Sequence, residues 1–334
     1  MTEKKNFMNK RISVIIPNYN GSSTIGRCLE AAFSSEYDNF EVIVTDDCST
    51  DNSAGIIKEF PCKLISLDKH SEASKARNTG AKNSSGEVLF FIDADCLLQK
   101  NTLASVNKAF LTSEDAIIGG TYTAIPYDKD FFSAFQSIFI NYSETKKEPP
   151  DYIPTHAMVI SSEIFMKSGG FQENFLPVLE DVEFSHRLRK MGCKLTMNSE
   201  ILVRHIFNFT LIKSLKNAFR KSLYWTIYSI KNKDLLADSG TASYELKINV
   251  ASIFLNASLI MLFFYFKNTA FLVSIFLICT ANLTVSRGLI KTFYKTKGLS
   301  FAIFATFYYT LIYPLPIGAG AFSGILRYMW SYKR

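Results

Sequence analysis

In the first hundred residues the apolar positions fall in short unbroken runs rather than in alternation. ISVII at 12–16, the run FEVIVTDD at 40–47 and EVLFFI at 87–92 read as strands buried on both faces of a sheet. Between the first two, Ile25, Leu29 and Phe33 recur at helical spacing, and a polar loop at 18–23 leads into them. Pro17 is expected to end the first strand. A third strand is predicted over 62–67 and a helix over 73–82. Strand, helix and strand in this rhythm predict an open α/β domain with a mostly parallel sheet.

Further along, Phe131, Phe132, Phe135, Ile138, Phe139 and Tyr142 share one helical face. The pattern predicts a core-facing helix, with a helix in a membrane interface as the alternative. After Gly240 charge almost disappears. Residues 248–266 and 269–286 approach the roughly 20 apolar residues that cross a bilayer. Lys267 and Asn268 link them, which predicts a helical hairpin. A third apolar stretch at 299–326 carries Pro314, Pro316, Gly318, Gly320 and Gly324, and is expected to be broken and re-entrant or interfacial, with a third span as the alternative. The expected division is therefore 1–235 for a catalytic domain and 236–334 for a membrane domain.

Chemistry concentrates at the predicted strand ends. Asp46 and Asp47 close one strand, and Asp93 and Asp95 close another. Ligands of open α/β sheets gather at that carboxyl edge. Residues two apart on an extended backbone project to the same side, so Asp93 and Asp95 can share a hard divalent cation, Mg2+ or Mn2+. Such an ion neutralises charge on a departing diphosphate. Asp46 and Asp47 can accept hydrogen bonds from a base or ribose, or serve as turn residues. Tyr19 offers a ring for a base, or simply packs. Arg77 and Lys75 can meet a diphosphate, Arg77 with the better geometry. Glu180 and Asp181 open a helical pattern that Gly192 terminates. One of them can take a proton from an acceptor hydroxyl, and Asp181 is the choice, with helix capping as the alternative. His205, after ILVR, can add a neutral imidazole to the metal. No role is assigned to His70, His156 or His186.

The 334 residues carry a formal charge of +7, but the basic residues are scattered and many border the apolar C-terminal stretches. That favours an anionic membrane surface over nucleic acid. Arg287, Lys291, Lys295 and Lys297 follow the second apolar segment, which places that side, and with it the first domain, in the cytoplasm. The six cysteines show no Cys-x-x-Cys pair, which predicts reduced thiols. The polar N-terminus lacks the apolar core of a cleaved secretion signal.

In the order ISVIIPNYN, EVIVTDDCSTD, SKARNTGAKNSSGEVLFFIDADC, SGGFQENFLPVLEDVEFSHRLRKMG and VRH, the chain resembles the family 2 glycosyltransferases over most of residues 10–225. The resemblance implies a Rossmann-like A-type nucleotide-sugar-binding fold. It also implies that Asp46 and Asp47 contact the nucleoside and Asp93 the donor diphosphate; Pro17, Tyr19 and Arg77 complete the expected donor-nucleotide set. The metal would be held by Asp93, Asp95 and His205, and Asp181 would be the base of an inverting displacement, with Glu180 and Arg187 supporting. Two departures stand out: Cys48 and the SEASKARN loop occupy places where the family often has glycine. No Gln-x-x-Arg-Trp stretch follows the base helix, so single additions are expected rather than chain synthesis.

The expected activity is metal-dependent inverting transfer from a nucleotide sugar, most simply a uridine diphosphate sugar. The acceptor would be a lipid-linked glycan or other membrane-associated glycan, with polyprenyl phosphate as the alternative. A non-catalytic nucleotide-sugar-binding scaffold is the rival of another class. A transporter is disfavoured because the apolar segments hold no buried acid.

Overall fold

The computed structural model describes residues 9–331 and divides into two compact units, one of residues up to 129 with 144–207 and the other of 130–143 with the residues from 208 onward. The first contains β1 (Ile12–Asn18), α1 (Ile25–Phe33), β2 (Phe40–Asp46), α2 (Ser53–Ile57), β3 (Lys63–Ser66) and α3 (Glu72–Lys82). These are followed by β4 (Val88–Phe91), β5 (Cys96–Leu98), α4 (Thr102–Thr112) and β6 (Ala116–Tyr122). Helix α5 (Phe131–Thr145) starts in the second unit and returns the chain to the first at its last turn. Then come β7 (Met158–Ser161), α6 (Ser162–Lys167), α7 (Glu180–Lys190) and β8 (Lys194–His205).

One eight-stranded sheet runs in the order β3-β2-β1-β4-β7-β6-β8-β5. The half β3-β2-β1-β4 is parallel, as its uninterrupted Val, Ile and Phe content predicts. The other half makes the sheet mixed, though still mostly parallel: β6 and β8 pair parallel, while β7 runs antiparallel to β4 and β6, and β5 antiparallel to β8. Pro17 does not end β1. It pairs with Thr45, and β1 continues to Asn18. The missing N–H is harmless because Pro17 faces β4, whose pairing with β1 ends at Ile15 and Phe91. The core beneath the sheet gathers Ile15, Ile43, Phe91, Met158, Phe165, Phe171 and Phe184. At Gly80 a Cβ would lie 2.7 Å from Ile15 Cγ2, so glycine lets α3 seat directly on the sheet.

The second unit contains α8 (Leu211–Asn232), α9 (Tyr244–Phe266), α10 (Ala270–Val285), α11 (Arg287–Phe307) and α12 (Pro314–Ser331). Phe131, Phe135 and Phe139 of α5 turn inward, against Phe301, Phe293, Tyr308, Tyr309 and Tyr313, in line with a core-facing helix. Two stretches, Tyr244–Phe266 and Arg287–Trp330, are long and apolar enough to cross a membrane. The 16 residues of α10 rise only about 24 Å, short of a full hydrocarbon core.

Pro314 and Pro316 do not break the third apolar stretch. A π-helical turn at Tyr308–Ile312 directly precedes them and accommodates the missing Pro314 N–H, and the helical stretch runs on to Trp330. The bend lies instead at Gly298, which at φ 81° divides a basic first half of α11 from an apolar second half. The π turn offers the Tyr309 carbonyl to Asn249 Nδ2 at 2.6 Å, and Asn249 Oδ1 accepts from Asn282 at 2.9 Å, so α9 and α10 are fastened to it by polar contacts.

Candidate active site

Two loops at the carboxyl edge of the parallel strands grip each other. Asp46 Oδ1 accepts from Asn18 Nδ2 at 2.7 Å and Ser49 Oγ at 2.6 Å, which ties the two loops together. Asn20 N donates to Ser49 Oγ, Gly21 N to Ser53 Oγ and Ser22 N to Asp51 Oδ2. Asp47, buried beside them, accepts from Ser71 N at 2.7 Å and lies 2.8 Å from His70 Nδ1. Burial raises the Asp47 carboxyl above its ordinary range, against the pull of Ser71 N and His70. The half-exposed Tyr19 ring stacks on the His70 imidazole with centroids 4.0 Å apart. His70 was left without a role by sequence. The signal that could have found it is the one used for the acids: it sits just past the end of β3, on the same edge.

Both departures from family glycine fall at left-handed backbone. Cys48 has φ 61° and Glu72 φ 70°. Each is a position that glycine would occupy without the roughly 1–2 kcal/mol that a Cβ costs there.

Arg77 is buried and its guanidinium spans two acids, Nη2 donating to Asp93 Oδ1 and Nη1 to Glu180 Oε1, each at 2.8 Å. Burial alone would raise Asp93, but Arg77, helped by His156 and His205, holds it below the ordinary carboxylate range. The next residue, Asn78, exchanges hydrogen bonds with Phe171 N and O at 2.9 and 2.8 Å. Adjacent side chains of α3 thus hold both the Asp-x-Asp turn and the segment leading to α7. Asp181, one residue past Glu180 in the first turn of α7, accepts from Val182 N at 2.8 Å. Arg187 braces that helix from its far end, donating to the carbonyls of Ser168 and Gly170 at 2.6 Å and to Glu183. Lys75 pairs with Glu173 instead of lying free for a phosphate.

On the other side of Asp93, β5 begins. The antiparallel register sets Cys96 opposite His205, and His205 Nε2 lies 3.3 Å from Asp95 Oδ1. Burial pushes Asp95 above the ordinary carboxylate range, Asp93 adding to the effect and His205 opposing it. Burial also carries the Cys96 thiol well above its usual range, so it stands neutral. The donor atoms of Asp95, Cys96 and His205 all lie within 4.8 Å of one another, and the Asp95 side chain keeps 40% of its surface. A carboxylate and an imidazole so placed, with an open side, fit a divalent cation. Tyr122 packs edge-on against His205 and stacks on His156 with centroids 3.9 Å apart. His156 lies 3.4 Å from Glu144, which accepts from Thr121 at 2.6 Å. Sequence also passed over His156, whose place depends on the unforeseen antiparallel pairing of β6 and β7.

Residues 13–172 match the sequence model of Glycosyl transferase family 2. The chain is 28% identical over 144 residues to glycosyltransferase GlyA of Streptococcus pneumoniae serotype 4, covering 40% of this chain and 21% of GlyA. It is 35% identical over 208 residues to the poly(ribitol-phosphate) β-N-acetylglucosaminyltransferase TarS of Staphylococcus aureus, covering 54% of this chain and 36% of TarS. The chain therefore spans well under half the length of these relatives. The solved structure of the mannosyltransferase PcManGT from Pyrobaculum calidifontis, in complex with GDP-Man and Mn2+, superposes over 97% of this chain and 88% of its own with a TM-score of 0.59 at 15% identity, a likeness of fold. Residues 13–172 thus resemble glycosyltransferase family 2 by sequence, and the fold is that of an A-type nucleotide-sugar-binding domain.

Proposed function

We propose that the chain transfers a sugar, with inversion, from a nucleoside diphosphate donor to a hydroxyl of a lipid-linked or other membrane-associated glycan. Uridine diphosphate sugar is our choice of donor. The observation that carries the reading is the Arg77 bridge, which joins Asp93 of the Asp-x-Asp turn to Glu180 at the start of α7 through two 2.8 Å contacts. The bridge sets the residue before Asp181 beside the Asp-x-Asp turn, which supports one site for the donor-binding and the proton-accepting carboxylates.

In this reading Asp95 and His205, with Asp93 beside them, hold Mg2+ or Mn2+, which supplies positive charge against the diphosphate leaving group. Tyr19 stacks on the base and Asp47 accepts its hydrogen bond. Asp181 takes the proton of the acceptor hydroxyl as its oxygen bonds to the anomeric carbon and the bond to the diphosphate oxygen breaks. Arg77 keeps Asp93 ionised at neutral pH and fixes its orientation.

The second unit anchors this chemistry at a membrane, with the catalytic unit on the cytoplasmic side. In support, Met261, Phe264, Tyr265, Phe276, Ile303, Phe304 and Phe322 are exposed on α9 to α12. Arg287, Lys291, Lys295 and Lys297 in the first half of α11 are exposed while Leu289 and Phe293 are buried, a basic amphipathic arrangement suited to anionic headgroups.

The test is transfer from labelled nucleotide sugars to membrane extract by full-length protein. Asp181→Asn is expected to keep donor binding and lose about 10²–10⁴-fold in rate, the usual worth of a general base. If Asp181→Asn transfers normally while Asp93→Asn does not, the acceptor is an anion such as a polyprenyl phosphate. Nucleotide binding with no donor consumed under any condition favours the scaffold reading.

A further inference from the structure

We propose that Cys96 is a thiolate ligand of the cation centre and biases it toward borderline and soft divalent ions, Zn2+, Co2+ and Cd2+, over hard ones. The inference rests on the reading of Asp95 and His205 as a metal-holding pair and extends it to a residue that no Asp-x-Asp pattern includes.

The geometry comes from the ladder. Cys96 and His205 are directly opposed in the antiparallel pair β5–β8, and opposed residues project to one face with Cβ atoms about 4.5–5.5 Å apart. Asp95 closes the set, its Oδ1 lying 3.3 Å from His205 Nε2 and 3.9 Å from Cys96 Sγ. A tetrahedral ion with bonds of about 2.0–2.3 Å needs its ligands about 3.3–3.8 Å apart. The separations, all within 4.8 Å, thus need shifts of at most about 1.5 Å. The half-exposed Asp95 leaves a fourth position open, the layout of a three-ligand site that also admits an outside oxygen.

Ligand softness then sets the preference. Mn2+ and Mg2+ suit carboxylate, imidazole and water and have little affinity for sulfur, so they leave the thiol protonated. Zn2+ and Co2+ bind imidazole and thiolate, and both stand above Mn2+ in the general order of affinities. On their binding the S–H bond gives way to a sulfur–metal bond, one proton passes to solvent, and no oxidation state changes.

The probe is Co2+, added to metal-free full-length protein in detergent, for wild type, Cys96→Ser, Cys96→Ala and Cys28→Ser. Cys28 is the control because it too is buried nearby, with its Sγ 3.7 Å from the Asp93 carbonyl. The proposal expects a near-ultraviolet thiolate-to-cobalt charge-transfer band in wild type and Cys28→Ser, absent from both Cys96 variants. It also expects Zn2+ to displace Mn2+ at a concentration at least tenfold lower in wild type than in Cys96→Ala, read from the Mn2+ magnetic resonance signal. Co2+ that binds wild type without the band overturns the thiolate ligand alone, as does a band that persists in Cys96→Ser. Failure of Co2+ and Mn2+ to bind any variant overturns the metal reading beneath it as well.

Discussion

Replacing Arg77 by Met removes one buried cation from between two carboxylates and keeps most of the aliphatic bulk. Breaking a buried ion pair by deleting one partner costs about 3–5 kcal/mol, because the remaining charge is left without compensation. Here the Asp93 side chain keeps 33% of its surface and Glu180 16%, so water offsets part of the loss. The low end of the range, about 3 kcal/mol, is the expected destabilisation of the first unit. Both tryptophans, Trp225 and Trp330, lie in α8 and α12, so their fluorescence reports on the second unit. The appropriate assay is amide hydrogen exchange in β1 and β4. There, about 3 kcal/mol corresponds to a loss of about 10²-fold in protection.

Two internal checks accompany the measurement. Neutralising the partners as well, in Arg77→Met/Asp93→Asn/Glu180→Gln, is expected to recover part of the loss, because no charge is left stranded. The pH dependence follows from the sign of the Asp93 shift. A carboxylate held below its unfolded value, about 3.9, contributes stability above that pH and loses it as pH falls through the folded value. Without Arg77 burial dominates and the ionised form is disfavoured. The gap between wild type and Arg77→Met therefore narrows on acidification. A cost below about 0.5 kcal/mol, the ordinary scatter of surface substitutions, would refute the reasoning, as would a triple variant no more stable than Arg77→Met.

Tyr19→Ala is expected to weaken binding of uridine diphosphate by about 1–3 kcal/mol, the usual worth of one base–aromatic stack, with unchanged hydrogen exchange in the strands. Equal affinity for the two proteins by calorimetry would remove Tyr19 from the donor site. Gly324→Leu is expected to part α12 from α8, since even a Cβ at that glycine would lie 2.6 Å from the Leu223 carbonyl oxygen. Fluorescence-detected melting of Trp225 and Trp330 reads this directly, and an unchanged midpoint would show that the two helices tolerate separation.

The sequence revealed most where burial is simplest. β1, β2 and β4 are covered on both faces, so their Val, Ile and Phe runs announce them, and the acids at their ends follow from the sheet's own geometry. The mixed half of the sheet was hidden for physical reasons. β5 has three residues, β6 reads AIIGGTY with two glycines, and β8 mixes Lys, Thr, Asn, Ser and Glu with its apolar positions. The bridge from Arg77 to Asp93 and Glu180 joins residues 16 and 103 apart in the chain, a separation that no local pattern records. His70 and His156 were missed because an imidazole gains meaning only from its neighbours, here Asp47 with Tyr19 and Glu144 with Tyr122. Pro314 misled in the opposite sense. Its helix-breaking tendency is absorbed by the π turn just before it, which composition alone does not identify.

The most direct test of the central claim is calorimetric titration of uridine diphosphate into full-length protein in detergent, with and without Mn2+, for wild type and Asp95→Asn. Asp95 is preferred over Asp93 because its loss leaves the Arg77 bridge intact. Wild type is expected to bind only with Mn2+, and Asp95→Asn not at all. Binding that is equally strong without metal, or that survives in Asp95→Asn, would contradict the claim.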